Sequence, residues 1–205
     1  MVVYAFDVGE TLVDESRLWL RYAHQIGVPP LTFIGVLGAA IAEGRDQRDV
    51  FQHFDVDLDR FEANLAWRNR PEDVILPDDF YPDVIPTLET LQRVGHRVVV
   101  AGNQNKRTSH ALDAMNLPVD LIRGAEQWGA RKPTRRFFRR LIREAAVPPG
   151  DIVYVGDRVD HDILPALDLG IRAVLIRRGP WGHVHASWPD AARADAVIGS
   201  LRALL

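Results

Sequence analysis

Three aspartates and one lysine in this 205-residue chain have types and spacings that suit phosphoryl transfer. Asp7 and Asp157 each stand just after an apolar run, at 2–6 and 151–155, and Asp162 comes five residues after Asp157. Lys132 precedes the run at 151–155. In such a set one carboxylate can attack phosphorus, two can hold Mg²⁺, and a cation can offset the charge on the transferring group. The residues therefore point to an aspartyl-phosphate mechanism.

Each aspartate taken alone has a simpler interpretation, because Asp commonly caps helices and occupies turns. The order of the three aspartates, each close to an apolar run, favours the catalytic interpretation over three separate caps. Mg²⁺ prefers a few carboxylates together with water and substrate oxygens. We therefore expect Mg²⁺ as the cofactor.

Six short apolar runs are candidates for the strands that position these residues. They lie at 2–6, 97–101, 119–122, 151–155, 172–176 and 196–198. Strands that are apolar on both faces are typical of a parallel sheet covered by helices. Helical spacing between the runs places Val84, Leu88, Leu91 and Val94 on one face of a helix. A further helix is expected at 161–169, and together these helices complete an alternation of strand and helix. The sequence thus predicts an α/β fold with a doubly wound, Rossmann-like parallel sheet flanked by helices.

The segment between the first run and the second has a different pattern. Its apolar residues have helical spacing at 19–26, 33–41 and 59–69, and no convincing strand interrupts them. We therefore predict two domains. Residues 1–13 and 78–205 form the α/β core, and residues 14–77 form a small all-helical domain.

The chain resembles the haloacid dehalogenase superfamily at four motifs. Residues 7–11 match the family's Asp-x-Asp-x-Thr with one departure, and Gly102 followed by Asn103 stands where the family ends a strand with Ser or Thr. Lys132 before a proline matches the third motif, and residues 156–162 match the fourth. The all-helical segment matches the family's cap domain, so the resemblance covers nearly the whole chain.

The resemblance implies a role for each of these positions. Asp7 becomes the nucleophile of a hydrolase. The implied metal ligands are Asp7, Gly9 through its carbonyl, Asp157 and Asp162. The implied substrate-binding residues are Thr11, Gly102, Asn103 and Lys132, and catalysis is implied for Asp7, Asn103 and Lys132.

Two departures from the family motifs bear on activity. Gly9 keeps the backbone carbonyl that binds metal but lacks the Asp side chain that acts as general acid and base, a contribution typically worth about 10²–10⁴ in rate. Gly102 lacks the hydroxyl that hydrogen-bonds the phosphoryl group. Glu10 has a carboxyl that is able to supply the proton, although the side chains of neighbouring residues tend to point apart.

The expected function is therefore a slow Mg²⁺-dependent phosphatase for a small phosphorylated metabolite. A catalytically impaired relative that binds a metal, a phosphorylated ligand or a protein stays open, as does a haloacid dehalogenase-type hydrolase. Cleavage of phosphonates is excluded, because that subclass needs a lysine in the cap and residues 14–76 contain none.

Composition adds few further constraints. The formal charge of −3 gives no indication of nucleic acid or membrane as a partner. No apolar run approaches the roughly 20 residues of a membrane span, and the chain contains no cysteine, so cytoplasmic residence is the default expectation. A homodimer stays open. His183 and His185 form a His-x-His pair, which we interpret as part of a solvated loop rather than as a metal site.

Overall fold

The computed structural model describes residues 1–57 and 75–205 and contains one six-stranded parallel sheet. The strands are β1 Val3–Phe6, β2 Arg97–Gly102, β3 Leu121–Gly124, β4 Ile152–Gly156, β5 Arg172–Ile176 and β6 Ala196–Ile198, in the order β3-β2-β1-β4-β5-β6. All neighbouring strands are parallel. The predicted α/β fold is confirmed.

Helices occupy most of the chain between the strands. The α-helices of the described residues are α1 Ser16–Gln25, α2 Pro30–Ala42, α3 Val84–Arg93, α4 Lys106–Ala114, α5 Ala125–Trp128, α6 Arg135–Ala145, α7 Leu164–Leu167 and α8 Gly179–His185. Short 3₁₀ segments span Gln47–Phe54, Pro77–Asp79, Pro149–Asp151, Pro189–Arg193 and Leu201–Leu204, and a π-helical turn spans Val159–Ile163.

The chain divides into two compact units. The first unit comprises Met1–Asp14 and Ile75–Leu205, and it contains the whole sheet. The second unit comprises Glu15–Val74, of which residues 15–57 are described.

The sheet of the first unit has an apolar core on each face. On one face Tyr154 of β4 packs against Phe138 of α6, with their ring centroids 5.2 Å apart. On the other face Val100 of β2 packs with Leu88 and Leu91 of α3. Each fully buried side chain of this size contributes roughly 1.5–3 kcal/mol, so burial on both faces holds the strand ends in fixed positions.

The second unit contains the first two predicted helices, α1 and α2. Its core is aromatic: Phe33 of α2 lies 5.6 Å from Phe51 and 5.7 Å from Phe54, measured between ring centroids. The helix predicted at 59–69 lies outside the described residues. Within the described residues no single helix is long and apolar enough to cross a membrane. The helices α1 and α2 meet that criterion only as a pair, and the chain bends by 114° between them.

Three local predictions differ from the structure. The strand expected at 119–122 begins at Leu121, because the Asp120 side chain accepts a hydrogen bond from the backbone of Val98 at 2.7 Å ahead of the strand. Val94, which we placed on the buried face of α3, lies beyond the end of that helix and is 61% exposed. The helix expected at 161–169 is a π-helical turn followed by the short α7.

Candidate active site

The carboxyl ends of three adjacent strands bring the predicted residues to one edge of the sheet. Phe6 at the end of β1 is in register with Val100 of β2 and Val155 of β4. The next residue, Asp7, donates its backbone N–H to the Val155 carbonyl at 2.9 Å. Ligands of open parallel sheets bind at this edge, so the register itself places Asp7 where chemistry is expected.

Asp7, Asp157 and Asp162 form a carboxylate cluster. One carboxylate oxygen from each lies within 4.8 Å of the others. Asp162 lies in the π-helical turn after β4. Its carboxylate accepts a hydrogen bond from the backbone N–H of Arg158 at 2.9 Å, which holds the side chain at the cluster. A Cβ atom on Gly156, the last residue of β4, would collide with the Asp162 side chain. Glycine at that position therefore permits the close approach.

Lys132 supplies the positive charge next to this cluster. Its Nζ lies 2.7 Å from Oδ1 of Asp7 and 2.6 Å from Oδ1 of Asp162. The side chain is only 3% exposed. Burial acts to lower the pKa of Lys132, but the charges of Asp162 and Asp7 outweigh it and hold the pKa well above its usual value. The lysine is therefore a permanent cation at neutral pH.

Asn103 holds the backbone of Lys132. Its Oδ1 accepts the Lys132 N–H at 2.8 Å, and its Nδ2 donates to the Lys132 carbonyl at 3.1 Å. This reciprocal pair ties the residue after β2 to the segment before α6, although the two lie 29 positions apart in sequence. The geometry gives Asn103 a positioning role toward Lys132, and its predicted contact with substrate stays a prediction.

The cluster has the properties of a site for a divalent cation. Burial raises the pKa of Asp157 well above its usual range, and the charges of Asp162 and Asp7 raise it further. Burial also raises the pKa of Asp7, against the opposing effect of Lys132. One lysine cannot neutralise three neighbouring carboxylates, and a hard cation would reverse these shifts. The donors are all oxygens, as Mg²⁺ prefers, so the residues fit the expected ion.

The Asp7 carboxylate, the candidate nucleophile, occupies the space that a side chain at position 102 would fill. A Cβ atom at this position would collide with Oδ1 of Asp7 and would lie 2.7 Å from Oε1 of Gln104. A side chain at position 102 would therefore require the Asp7 carboxylate to shift from its present position. Gln104 is a neighbour that the sequence did not single out; its Nε2 donates to the Arg123 carbonyl at 3.0 Å.

The loop after β1 carries the other predicted positions. Gly9 contributes only backbone, as expected. Thr11 is fully buried, its hydroxyl has no hydrogen-bond partner among residues 1–57 and 75–205, and it presents no exposed donor to a substrate. Glu10 has a left-handed backbone with φ of 51°. Its carboxylate accepts a hydrogen bond from the Tyr81 hydroxyl, with 2.6 Å between the two oxygens. The same carboxylate packs against Gly179.

Arg178 is a buried residue of this region that sequence reasoning missed. Its guanidinium donates to the Thr11 carbonyl at 2.7 Å, pairs with the Asp83 carboxylate, and lies 4.4 Å from the centre of the Tyr81 ring. The chain has 23 arginines, and charge alone does not distinguish one of them. Its position just after the apolar run of β5 could have indicated a place near the site, because the carboxyl ends of parallel strands meet at the edge of the sheet where ligands bind.

The interpretation of His183 and His185 as a solvated loop is wrong for His185. Both residues lie in α8, and His185 is 1% exposed. Its ring stacks on Trp188 at 3.7 Å between centroids, and its Nδ1 accepts the Val159 N–H at 3.1 Å. His185 therefore supports the π-helical turn that carries Asp162.

Comparison with known proteins identifies relatives of this chain. Over 128 residues (61% of the chain and 54% of the relative) the chain is 32% identical to the glyceraldehyde 3-phosphate phosphatase of Methanocaldococcus jannaschii. Over 173 residues (82% and 62%) it is 28% identical to phosphoglycolate phosphatase 1 of Pseudomonas aeruginosa. The chain thus spans little more than half the length of these curated relatives.

A solved structure and a family model match a larger part of the chain than the first of these relatives does. The crystal structure of a HAD phosphatase from Thermococcus onnurineus superposes with a TM-score of 0.65 and 26% sequence identity, covering 100% of this chain and 96% of that one. The family model of haloacid dehalogenase-like hydrolases matches residues 1–170. Since that match takes in all four motif regions and most of the sheet, the chain belongs to the haloacid dehalogenase-like hydrolase family.

Proposed function

We propose that the protein is a Mg²⁺-dependent phosphatase that hydrolyses a small phosphorylated metabolite, with Asp7 as the nucleophile. The observation that carries the proposal is the contact of Lys132 with the carboxylates of Asp7 and Asp162, next to the buried Asp157. Burial of three carboxylates with a single lysine leaves an excess of negative charge, which is electrostatically unfavourable unless a cation binds. Mg²⁺ would supply that charge, and Mg²⁺ and Lys132 together would then attract the phosphoryl oxygens of a phosphate ester.

The reaction divides into two displacements at phosphorus. A carboxylate oxygen of Asp7 forms a bond to phosphorus while the bond to the ester oxygen breaks, and the alcohol leaves as its anion. Water then attacks the phosphorus of the aspartyl phosphate, which releases inorganic phosphate and restores the carboxylate. Lys132 offsets the charge of the transferring group in both steps.

Mg²⁺ bound by Asp7, Asp157, Asp162 and the Gly9 carbonyl would supply charge neutralisation and orientation of the phosphoryl group. Asn103 acts indirectly, because its two hydrogen bonds fix the Lys132 backbone. The second unit supplies substrate selectivity, by analogy with the cap domain of the family.

The lack of an acid at Gly9 determines which substrates react. The ester oxygen must leave without a proton from the enzyme, or take one from water, so alcohols of low pKa leave most readily. General acid catalysis is typically worth about 10²–10⁴. Esters of acidic alcohols, such as aryl phosphates, should therefore be hydrolysed in preference to simple alkyl phosphates.

The test is hydrolysis of para-nitrophenyl phosphate by the wild type and by Asp7→Asn, each with Mg²⁺ and with EDTA. Asn has the size of Asp but no nucleophilic charge, so it isolates the proposed role. Turnover that requires both Mg²⁺ and Asp7 supports the phosphatase. Absence of turnover above the Asp7→Asn background contradicts it and favours a binding role. Halide release from a 2-haloacid in EDTA would favour dehalogenase chemistry.

A further inference from the structure

Residues 12–14 and 79–81, here called the paired connections, join the two units of the chain. The chain leaves the first unit after Asp14 and returns to it at Ile75. Asp14 donates its N–H to the Asp79 carbonyl at 2.8 Å, and Tyr81 donates to the Leu12 carbonyl at 3.0 Å. Val13 and Phe80 complete this antiparallel pairing. The two connections are therefore held together within the first unit.

Arg178, which follows β5, contacts residues at or beside both paired connections. One guanidinium nitrogen donates to the carbonyl of Thr11, and another pairs with Asp83. The plane of the group lies near the Tyr81 ring, with Cζ 4.4 Å from its centroid. The side chain is 8% exposed. Asp83 is held in turn by Ser200, whose hydroxyl donates to it at 2.5 Å.

A second contact connects the same residues to the loop after β1. The Tyr81 hydroxyl donates to the carboxylate of Glu10 at 2.6 Å. Glu10 has a left-handed backbone, which costs a non-glycine residue about 1–2 kcal/mol and persists only where the surroundings enforce it. Arg178 and Tyr81 thus restrain both Glu10 and Thr11, the two residues that end the motif begun by Asp7.

We propose that Arg178 is a positioning residue for the reaction, and this inference rests on the proposed phosphatase function. It sets the loop of residues 7–11 by fixing the Thr11 carbonyl and the Tyr81 ring at once. It touches none of Asp7, Asp157, Asp162 or Lys132 among the described contacts, so it acts through the loop. The position requires arginine, because three partners surround a planar fork of donors that a lysine ammonium does not reproduce.

The proposal predicts a change in rate with little change in binding. Lys132 would still bind the phosphoryl group, and Asp157 and Asp162 would still hold Mg²⁺, so KM should stay within a few fold of the wild-type value. A small displacement of a reacting group lowers rate by roughly 10²-fold. We therefore expect Arg178→Gln and Arg178→Lys to lower kcat by roughly 10–10²-fold.

The test compares Arg178→Gln and Arg178→Lys with Arg177→Gln in the full chain with Mg²⁺. Arg177 is the exposed neighbour and serves as the matched control. Steady-state kinetics use para-nitrophenyl phosphate, and hydrogen exchange is measured on peptides that cover residues 9–14, 79–83 and β4. Arg178→Lys keeps a cation beside Asp83, so its melting temperature should return toward the wild-type value while kcat stays low. If Arg178→Gln does not fold, Arg178→Lys decides the question.

Faster exchange in residues 9–14 and 79–83, with β4 unchanged and Arg177→Gln like the wild type, supports the positioning role. Unchanged kcat in Arg178→Lys overturns it. Exchange that accelerates uniformly along the first unit also overturns it, because that pattern marks a residue of general stability. Lack of wild-type turnover would refute the proposed function separately, and the exchange measurement would still decide whether Arg178 orders the loop.

Discussion

Lys132 lies in direct contact with Asp7: its Nζ is 2.7 Å from Oδ1 of the carboxylate. The side chains are 3% and 13% exposed, so water screens the pair weakly. Breaking a buried ion pair by removing one partner typically costs about 3–5 kcal/mol, because the other charge stays buried. The proposed nucleophile therefore depends on Lys132 for its charged state even before a substrate binds.

The Lys132→Met variant should lose both activity and stability. Turnover should fall by more than roughly 10²-fold, and the free energy of unfolding in EDTA should fall by about 3–5 kcal/mol. Mg²⁺ should restore more stability to this variant than to the wild type, since the carboxylates then lack any other counter-charge. Urea unfolding in EDTA and in Mg²⁺ measures both effects.

Lys106→Met is the matched control for that experiment, because Lys106 is the chain's other lysine and is exposed. It should unfold and turn over like the wild type. An equal gain in stability from Mg²⁺ in Lys132→Met and in the wild type would contradict the proposed metal site.

Gly9→Asp should accelerate hydrolysis. Gly9 does not have a left-handed backbone, so an L-residue is compatible with its conformation. The new carboxyl can protonate the leaving oxygen, with a gain within about 10²–10⁴ for poor leaving groups and less for para-nitrophenolate. Comparing kcat/KM for an alkyl phosphate and for para-nitrophenyl phosphate measures this selectivity. Gly9→Asn, which has the same size and no acid, should give no gain; an equal gain from Asn would rule out proton transfer as the cause.

The sequence was sufficient to predict the sheet and the residues that lie at its carboxyl edge. Strands apolar on both faces indicated a parallel sheet, and parallel strands in register must bring Asp7 and Asp157 together. The close approach of Asp162 was not predictable in detail, because a π-helical turn has no apolar periodicity that would distinguish it from an α-helix.

The residues around the site were harder to predict. The buried Arg178 resembles the many exposed arginines until its partners are known, and those partners lie 95 and 167 positions away in sequence. His185 is buried by its stack on Trp188, although Gly, Pro and Trp nearby favoured a loop. Both cases depend on tertiary contacts between distant segments, which local spacing does not encode.

Gly102→Ala should disturb the nucleophile. The added methyl group would collide with Oδ1 of Asp7, so the carboxylate must shift from its present position beside Lys132. We expect kcat to fall by roughly 10²-fold, as for other small displacements of reacting groups. Gly102→Ser should recover part of this loss, because its hydroxyl can donate to the phosphoryl group. Gly150→Ala is the control, as no atom lies within 4 Å of the added methyl group; equal activity of the two alanine variants would refute the steric account.

His185 should make the stability of the protein depend on pH. Burial lowers the pKa of His185 to about 4, against the opposing charge of Asp160. The ordinary value is 6.5, so between pH 6.5 and about 4 the unfolded chain binds a proton that the folded chain does not. The stabilisation from neutral His185 is therefore complete above pH 6.5 and declines as the pH falls toward 4.

The variant His185→Asn isolates this effect, because its Oδ1 can still accept the Val159 N–H while it does not titrate. The wild type should be more stable than His185→Asn at pH 7.5, and this advantage should shrink by about 2 kcal/mol at pH 5. Urea unfolding at the two pH values measures it, with His183→Asn on the exposed face of the same helix following the wild-type curve. If the difference between the wild type and His185→Asn is the same at both pH values, His185 does not stay neutral in the fold. In that case its contribution to the turn that carries Asp162 comes from packing on Trp188 alone.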